Sequence, residues 1–563
     1  MAQQHQNNFM NNFIRFLGKS TNNYMWQGEL ESIAFTETEI KSNLLQLEQP
    51  CYFLKKSGII GVTNTGYLTN TLNSPNQDIQ TLISIPSILP QHLGDISFLE
   101  SYKVKYAYMT GAMANGIASE EIVIALGKKN ILSSFGSGGL IPSRIEKAIN
   151  IIQAALPHQS YCFNLIHSPS ETAIERETVN LYIKYGIRIV EVSAFLDITP
   201  NIVYYRAAGL RVNSANQIEI KNKIIAKVSR PEIASKFMQP APEQLIKLLV
   251  NQGLITELQA KLLAKIPLAD DITVEADSGG HTDNRPLVCL LPNIIALRDT
   301  IQAKYQYEIP VRIGAAGGIA TPTSALGAFM MGAGYVVTGS VNQACVEAGT
   351  SEYTKNLLAQ VDMTDVMMAP AADMFEMGVK LQVVKRGTMF GLRSQKLFEL
   401  YRNYNSIEEI PITEREKLER QIFRKSLTEV WQDTVTYFQQ REPEQIAKTI
   451  NNPKRKMALI FRSYLGLSSR WSITGEKGRE IDYQIWCSPA MGAFNNWVKD
   501  SYLAIPNNRR VVDIAEKIMF GAAFLYRLQS LKLQGISLPI SYFKYTPILI
   551  TVILTTKMWF ICT

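Results

Sequence analysis

Residues 311–345 read VRIGAAGGIATPTSALGAFMMGAGYVVTGSVNQAC. An apolar run begins at Val311 and another at Tyr335, and each runs into a turn of small residues, AAGGIA (315–320) and TGSVNQ (338–343). A helix-period segment fills the space between them. Apolar strands that alternate with helices imply a parallel sheet covered on both faces.

The same unit recurs upstream. Apolar runs begin near Ala107, Ile131, Tyr161, Ile187, Lys223, Ile272, Val311 and Tyr335, at spacings of 24, 30, 26, 36, 49, 39 and 24 residues. Ile145, Ala148, Ile149, Ile152, Ala155 and Leu156 lie on one helical face, and the segment 171–185 stops at Gly186, a helix-ending glycine. Eight such units in one run predict an α/β fold, a closed (β/α)8 TIM barrel over residues 101–351, rather than an open doubly wound sheet. The longest gap, after the fifth strand, leaves room for an extra helix over Pro242 to Lys265.

Barrel enzymes place their chemistry on the loops after the strands. Here those loops are GAMANG (111–116), FGSGG (135–139), NLIHS (164–168), EADSGGHTD (275–283), AAGGIA and TGSVNQ. Glycines at the seventh and eighth positions suit a phosphate, held by backbone N–H groups and a short helix N-terminus. Tight turns alone would also use them. FGSGGL lacks the full G-x-G-x-x-G spacing, so a nicotinamide would not sit in a Rossmann crevice. His281, one of five histidines, follows Ser278-Gly279-Gly280 at the barrel mouth and is the first candidate for acid–base work. His167, after the third strand, is the second, while His5, His92 and His158 read as surface residues. There is no HExxH, no Cys/His cluster and no GxSxG elbow, and Asp277 with Asp283 is weak ground for a cation, so no metal is expected.

The 563 residues are 46% hydrophobic and 19% charged, enough for a large core and against disorder. Six dispersed cysteines without a CxxC, and a polar N-terminus without a signal-peptide pattern, suggest a cytoplasmic protein. The net charge of +8 is partly local: residues 451–470 hold five Lys/Arg and no acid. That run is either a solvated face or a docking patch for an acidic partner; no nucleic-acid module accompanies it. The apolar end, densest at Pro547 to Leu554, has only twelve uncharged positions between Lys544 and Lys557, against about 20 for a membrane span, which favours a strand or packing tail. Residues 1–100 are expected to form a small N-terminal accessory domain, 352–535 a mainly helical substrate or lid region, and 536–563 an apolar tail. APAADMFEMGVKLQ (369–382) reads as part of a lid, or equally as ordinary core packing.

Longer stretches carry a resemblance: YMTGAMANGIAS (108–119), AKVSRPEIASKFM (226–238), ITVEADSGGHTDNRP (272–286), residues 314–351, DVMMAPAADMFEMGVKLQVVKRGTMF (365–390) and DYQIWCSPAMGAFNNWVKDSYL (482–503). With these the chain resembles the PfaD family, the flavin-dependent enoyl reductases that act in trans in polyunsaturated fatty acid and polyketide synthases. More distantly it resembles nitronate monooxygenases and the flavin-dependent enoyl reductase of bacterial fatty acid synthesis. The resemblance implies FMN as cofactor, NADPH or NADH as hydride source and an enoyl thioester on an acyl carrier protein as substrate. It implies that Ala112, Met113 and Ala114 meet the flavin ring, that Asn164 closes the third strand, and that Glu275, Ser278, Gly279 and Gly280 form a flavin loop. It further implies that Gly317, Gly318, Gly339 and Ser340 cradle the phosphate, with His281 near the flavin and Lys227 a further candidate at the site. A carrier protein is acidic, so the basic run becomes a candidate dock. A homodimer is the assembly to test. A nitronate-type FMN oxygenase and a non-catalytic synthase subunit are the competing readings.

Overall fold

The computed structural model describes residues 14–17, 24–70, 78–167 and 172–548. Eight parallel strands close a barrel: β1 (Tyr108–Thr110), β2 (Leu132–Phe135), β3 (Cys162–Ile166), β4 (Ile189–Ser193), β5 (Lys223–Val228), β6 (Asp271–Glu275), β7 (Arg312–Ala316) and β8 (Tyr335–Thr338), with β8 returning to β1. Each expected strand start falls within two residues of an observed one. The reason is physical: strands covered on both faces must be apolar almost throughout, so they stand out from the helices between them. Residues 142–155 are helical, and Ile145, Ala148, Ile149 and Ile152 are its buried positions. The extra element after β5 is two helices, Glu243–Asn251 and Glu257–Leu263, rather than one. Gly253, at φ +68°, ends the first, and the Thr256 side chain caps the second.

The N-terminal residues form a three-stranded antiparallel sheet centred on Cys51–Lys56. A long helix, Val511–Leu533, ties this region to the barrel. Its buried Arg527 donates to the carbonyls of Leu44, Gln46, Leu47 and Gln49, and its Gly521 lets Pro322 of the helix after β7 approach. The chain then pairs Ile536–Ser537 with Arg15–Phe16 and packs Tyr545 against Phe520 and Phe524. Most of the apolar segment 547–554 lies outside the described residues. Among the described residues no helix is long and apolar enough to cross a membrane.

After the barrel, strands β9 (Val366–Pro370) and β10 (Lys380–Val384) form a hairpin. Helices Phe390–Asn403, Leu427–Arg441 and Pro453–Thr474 follow and share a separate core with it, including Phe375, Leu381, Leu397, Phe461 and Tyr464. At its base the buried Asp482 carboxylate receives Arg393, Arg424, Arg479 and the Tyr464 hydroxyl.

This arrangement gives most cations of the basic run partners within the chain. Lys454 donates to the carbonyls of Tyr401 and Tyr404, at the end of a neighbouring helix. Arg455 and Arg462 both reach Glu376, and Lys456 lies 5.4 Å over the ring of Trp431. Of the five cations only Arg470 is exposed. A run without acids looks like a solvated face in sequence, but here the partners are helix ends, an aromatic face and one distant carboxylate.

Candidate functional site

The loops after β1, β2, β3, β6, β7 and β8 meet at one end of the barrel. The loop 111–118 lies on the loop 135–139 through backbone bonds: Asn115 N–H to the Gly138 carbonyl at 2.7 Å and Gly116 N–H to the Gly136 carbonyl at 2.8 Å. A Cβ on Gly136 would fall 1.7 Å from the Met113 carbonyl, so only glycine permits this approach. Ala112, Met113 and Ala114 are left half-exposed at the rim.

Beneath that loop runs a row of charges. The Ala112 N–H donates to Glu191 Oε2 at 2.8 Å, while Glu191 Oε1, in a residue 1% exposed, has no partner. Lys227 Nζ lies 3.0 Å from Glu275 Oε1. Burial alone would lower the Lys227 pKa, but the carboxylates of Glu275 and Glu191 outweigh it and hold the ammonium above its ordinary value. Asn164 is buried and donates to the Glu191 carbonyl and to Ser193 Oγ, each at 3.0 Å. Its role is to lock β3 to β4 and to fix the floor beside Glu191.

The β6 loop is held from above by the hairpin. Gly280 and His281 pair with Gln382 and Leu381 of β10. Gln382 Nε2 donates to Asp277 Oδ1 at 2.7 Å and to the Ser278 carbonyl at 2.8 Å. A Cβ on Gly279 would come within 2.9 Å of the Cys487 backbone, and Ser488 N–H donates to Ser340 Oγ at 3.2 Å. The segment 486–488 therefore closes on the β6 and β8 loops together. Ser278 Oγ is buried without a partner. His281 Nε2 stands 3.0 Å from Asp373 Oδ1, in the turn of the hairpin. Desolvation works against the imidazolium, but the Asp373 hydrogen bond and charge, with Glu275, raise the His281 pKa above its usual range despite Lys227.

Gly317 and Gly318 follow β7 at φ +83° and +74°, a region L side chains rarely adopt. A Cβ on Gly317 would strike the Ala276 and Asp277 backbone, whereas Gly318 and Gly339 face open space. With Ser340, which opens the short helix Ser340–Gln343, they line one side of the mouth. The residues fit FMN on three observations: two open glycine positions where a phosphate would lie, a buried carboxylate oxygen without a partner, and a buried serine hydroxyl without one.

The remaining sequence candidates are otherwise engaged. His167 Nδ1 lies 2.8 Å from Glu175, whose other oxygen takes Thr199 and Asn201, and its ring stacks on Phe195. It is fixed between helices. Asp283 pairs with Arg230, and Asp277 accepts from Asn284 and Gln382. Sequence reasoning misses Glu191, Asp373, Gln382 and Ser488. Glu191 is hidden inside an apolar strand, where its lone charge in IVEVS is the available signal. The other three act across 92 or more residues of chain, or from a late motif whose place the sequence does not reveal.

Known proteins resemble this chain in sequence and fold. A family profile described as the fatty acid synthase subunit PfaD N-terminal domain matches residues 26–87. Another, described as the inserted helical domain of acyl-carrier-protein S-malonyltransferase, matches residues 404–483. A polyunsaturated fatty acid synthase component from Thraustochytrium sp. is 46% identical over 88% of this chain and 33% of its own length. Polyketide biosynthesis protein PksE of Bacillus subtilis is 44% identical over 79% of this chain and 58% of its own. The chain thus spans only part of the curated relatives it matches. The crystal structure of the enoyl reductase domain of MlnA, from the macrolactin biosynthesis cluster of Bacillus amyloliquefaciens, is 40% identical with a TM-score of 0.75, covering 78% of this chain and all of that one.

Proposed function

This chain belongs to the PfaD-like enoyl reductase family, and from that premise we propose that it is an FMN-dependent reductase of enoyl thioesters borne on acyl carrier proteins, with NADPH or NADH as hydride source. The observation that carries the reading is the barrel itself: open glycines after β7 and β8 together with a buried, half-satisfied Glu191 on β4. FMN bound there would supply a hydride for the β-carbon of the substrate.

The chain's own groups divide the remaining tasks. Gly317, Gly318, Gly339 and Ser340 bind the phosphate. Ala112, Met113 and Ala114 border the ring system, their loop fixed by Glu191. Lys227 and Glu275, paired at 3.0 Å, would supply charge near the ring system, and Ser278, Gly279 and Gly280 would help to hold it. As the β-carbon gains hydride, negative charge builds on the thioester oxygen; one positioned donor there is worth about 3–4 kcal/mol. A proton must then reach the α-carbon, and His281 is the residue at the rim suited to deliver it. The hairpin braces the β6 loop from one side.

Anaerobic mixing tests this. NADPH or NADH should bleach the flavin, and an enoyl thioester on an acyl carrier protein should restore it. Bleaching by a nitronate without nicotinamide would instead make the chain an oxygenase. A protein that neither carries nor takes up FMN would be a non-catalytic component of a synthase.

A further inference from the structure

The Asp373 carboxylate reaches His281 from the hairpin turn, and that turn is anchored by the helical insert rather than by the barrel. Phe375, fully buried, packs its ring against Phe398, Tyr401 and Phe461 of the insert. Glu376 receives Arg455 and Arg462 from the helix Pro453–Thr474. The Ala371 N–H to Val379 carbonyl bond, at 2.9 Å, closes the turn, and Met374 N–H donates to Asp373 Oδ1 at 3.1 Å. Gln382 and the pairing of β10 with Gly280–His281 seat the hairpin on the β6 loop. The basic helix therefore grips Glu376, and the same turn carries Asp373 to His281.

We propose that Asp373 is a positioning residue for His281, and that the helical insert, gripping Glu376 through Arg455 and Arg462, holds it there. This rests on the reading of His281 as proton donor given above. With its Nε2–H held by Asp373, the doubly protonated ring keeps one transferable proton, on Nδ1. After hydride reaches the β-carbon, that proton passes to the α-carbon of the thioester, forming the new C–H bond. The ring is left neutral, still bonded through Nε2–H, and regains its proton from water. The groups facing it are Asp373 from the hairpin and Glu275 and Lys227 from the barrel. The two carboxylates favour the charged ring and Lys227 opposes it. Burial also opposes it, so removing Asp373 leaves Glu275 alone to favour the imidazolium against burial and Lys227.

An imidazolium donor is active below its pKa and is lost as pH rises through it. Asp373 raises that pKa, so Asp373→Asn should bring the alkaline decline of kcat to lower pH, with kcat down on the order of tenfold near neutrality and KM little changed. Asp373→Glu should recover part of the loss. Glu376→Gln, which leaves Asp373 in place, should move the profile the same way by less. FMN affinity and the rate of bleaching by NADPH should match the parent in all three, showing that the barrel is intact. An unshifted alkaline limb in Asp373→Asn, when His281→Gln has lost that limb, would overturn the positioning role. A wild-type profile in Glu376→Gln would overturn the part given to the insert. If His281→Gln itself turned over normally, the proton-donor reading would fall first, and separately.

Discussion

The two ends of the barrel carry similar charges in opposite conditions. At the N-terminal end of the strands, Asp271 and Arg312 are 0% and 5% exposed and make a two-bond pair at 2.6 and 2.7 Å, with Tyr102 on the same carboxylate. Arg206 and Asp270 pair at 2.6 Å, and Lys223 donates to the Ser101 carbonyl at 2.7 Å. At the other end, Glu191 keeps one oxygen without a partner, Ser278 its hydroxyl, and Lys227, Glu275 and His281 are half-buried or exposed. A folded chain satisfies buried polar groups unless something else is to meet them. The ion-paired end, where Arg206 Nε alone of these groups lacks a partner, holds the barrel shut; at the other end a ligand could meet the free oxygens of Glu191 and Ser278.

The sharpest test of that contrast is at the closed end. Arg312→Met leaves Asp271 buried without its ion partner and should cost about 3–5 kcal/mol in urea unfolding, while flavin bound per folded molecule stays the same. A loss under about 1 kcal/mol would mean the two ends do not differ. Gly318→Val acts on the open end. Strain at its positive φ should cost about 1–2 kcal/mol, but the main effect should be on FMN, whose affinity falls more than about tenfold, or 1.4 kcal/mol. Unchanged FMN titration would remove the phosphate from this loop. Glu191→Gln should alter stability by less than about 1 kcal/mol, since its lost charge already lacked a full set of partners, yet should slow turnover; equal losses in both would make Glu191 structural. The smallest effect belongs to the insert. Lys456→Ala removes one cation from the face of Trp431 and should cost about 0.5–1 kcal/mol, with KM for carrier-borne substrate unchanged. A selective rise in that KM would favour the docking reading of the basic run.

The barrel is legible because its strands are apolar on both faces and its glycine turns recur in step. All eight strands and the loops 111–116, 275–283, 315–320 and 338–343 can be placed from Ala107 to Cys345. Beyond Ser351 that rhythm ends. The hairpin of β9 and β10 is lost within a mainly helical region because VMMAP and KLQVV are short and their pairing depends on Gly280 and His281, far upstream. The partners of the basic run are not legible, because local charge says nothing of the carbonyls of Tyr401 and Tyr404 or of Glu376. His281 is visible from its neighbours, but Asp373, which raises its pKa, is not: the surrounding AADMFEM gives no sign of a carboxylate aimed at the barrel.

The most direct measurement is the visible spectrum of the purified chain as FMN is titrated in, followed anaerobically by NADPH and then by an enoyl thioester on an acyl carrier protein. The expected result is one FMN bound per chain, a yellow band that disappears with nicotinamide and returns with the enoyl substrate, and an FMN titration shifted more than about tenfold to weaker binding in Gly318→Val. A chain that folds as described but binds no FMN at the barrel mouth, or binds it equally well in Gly318→Val, would contradict the central claim.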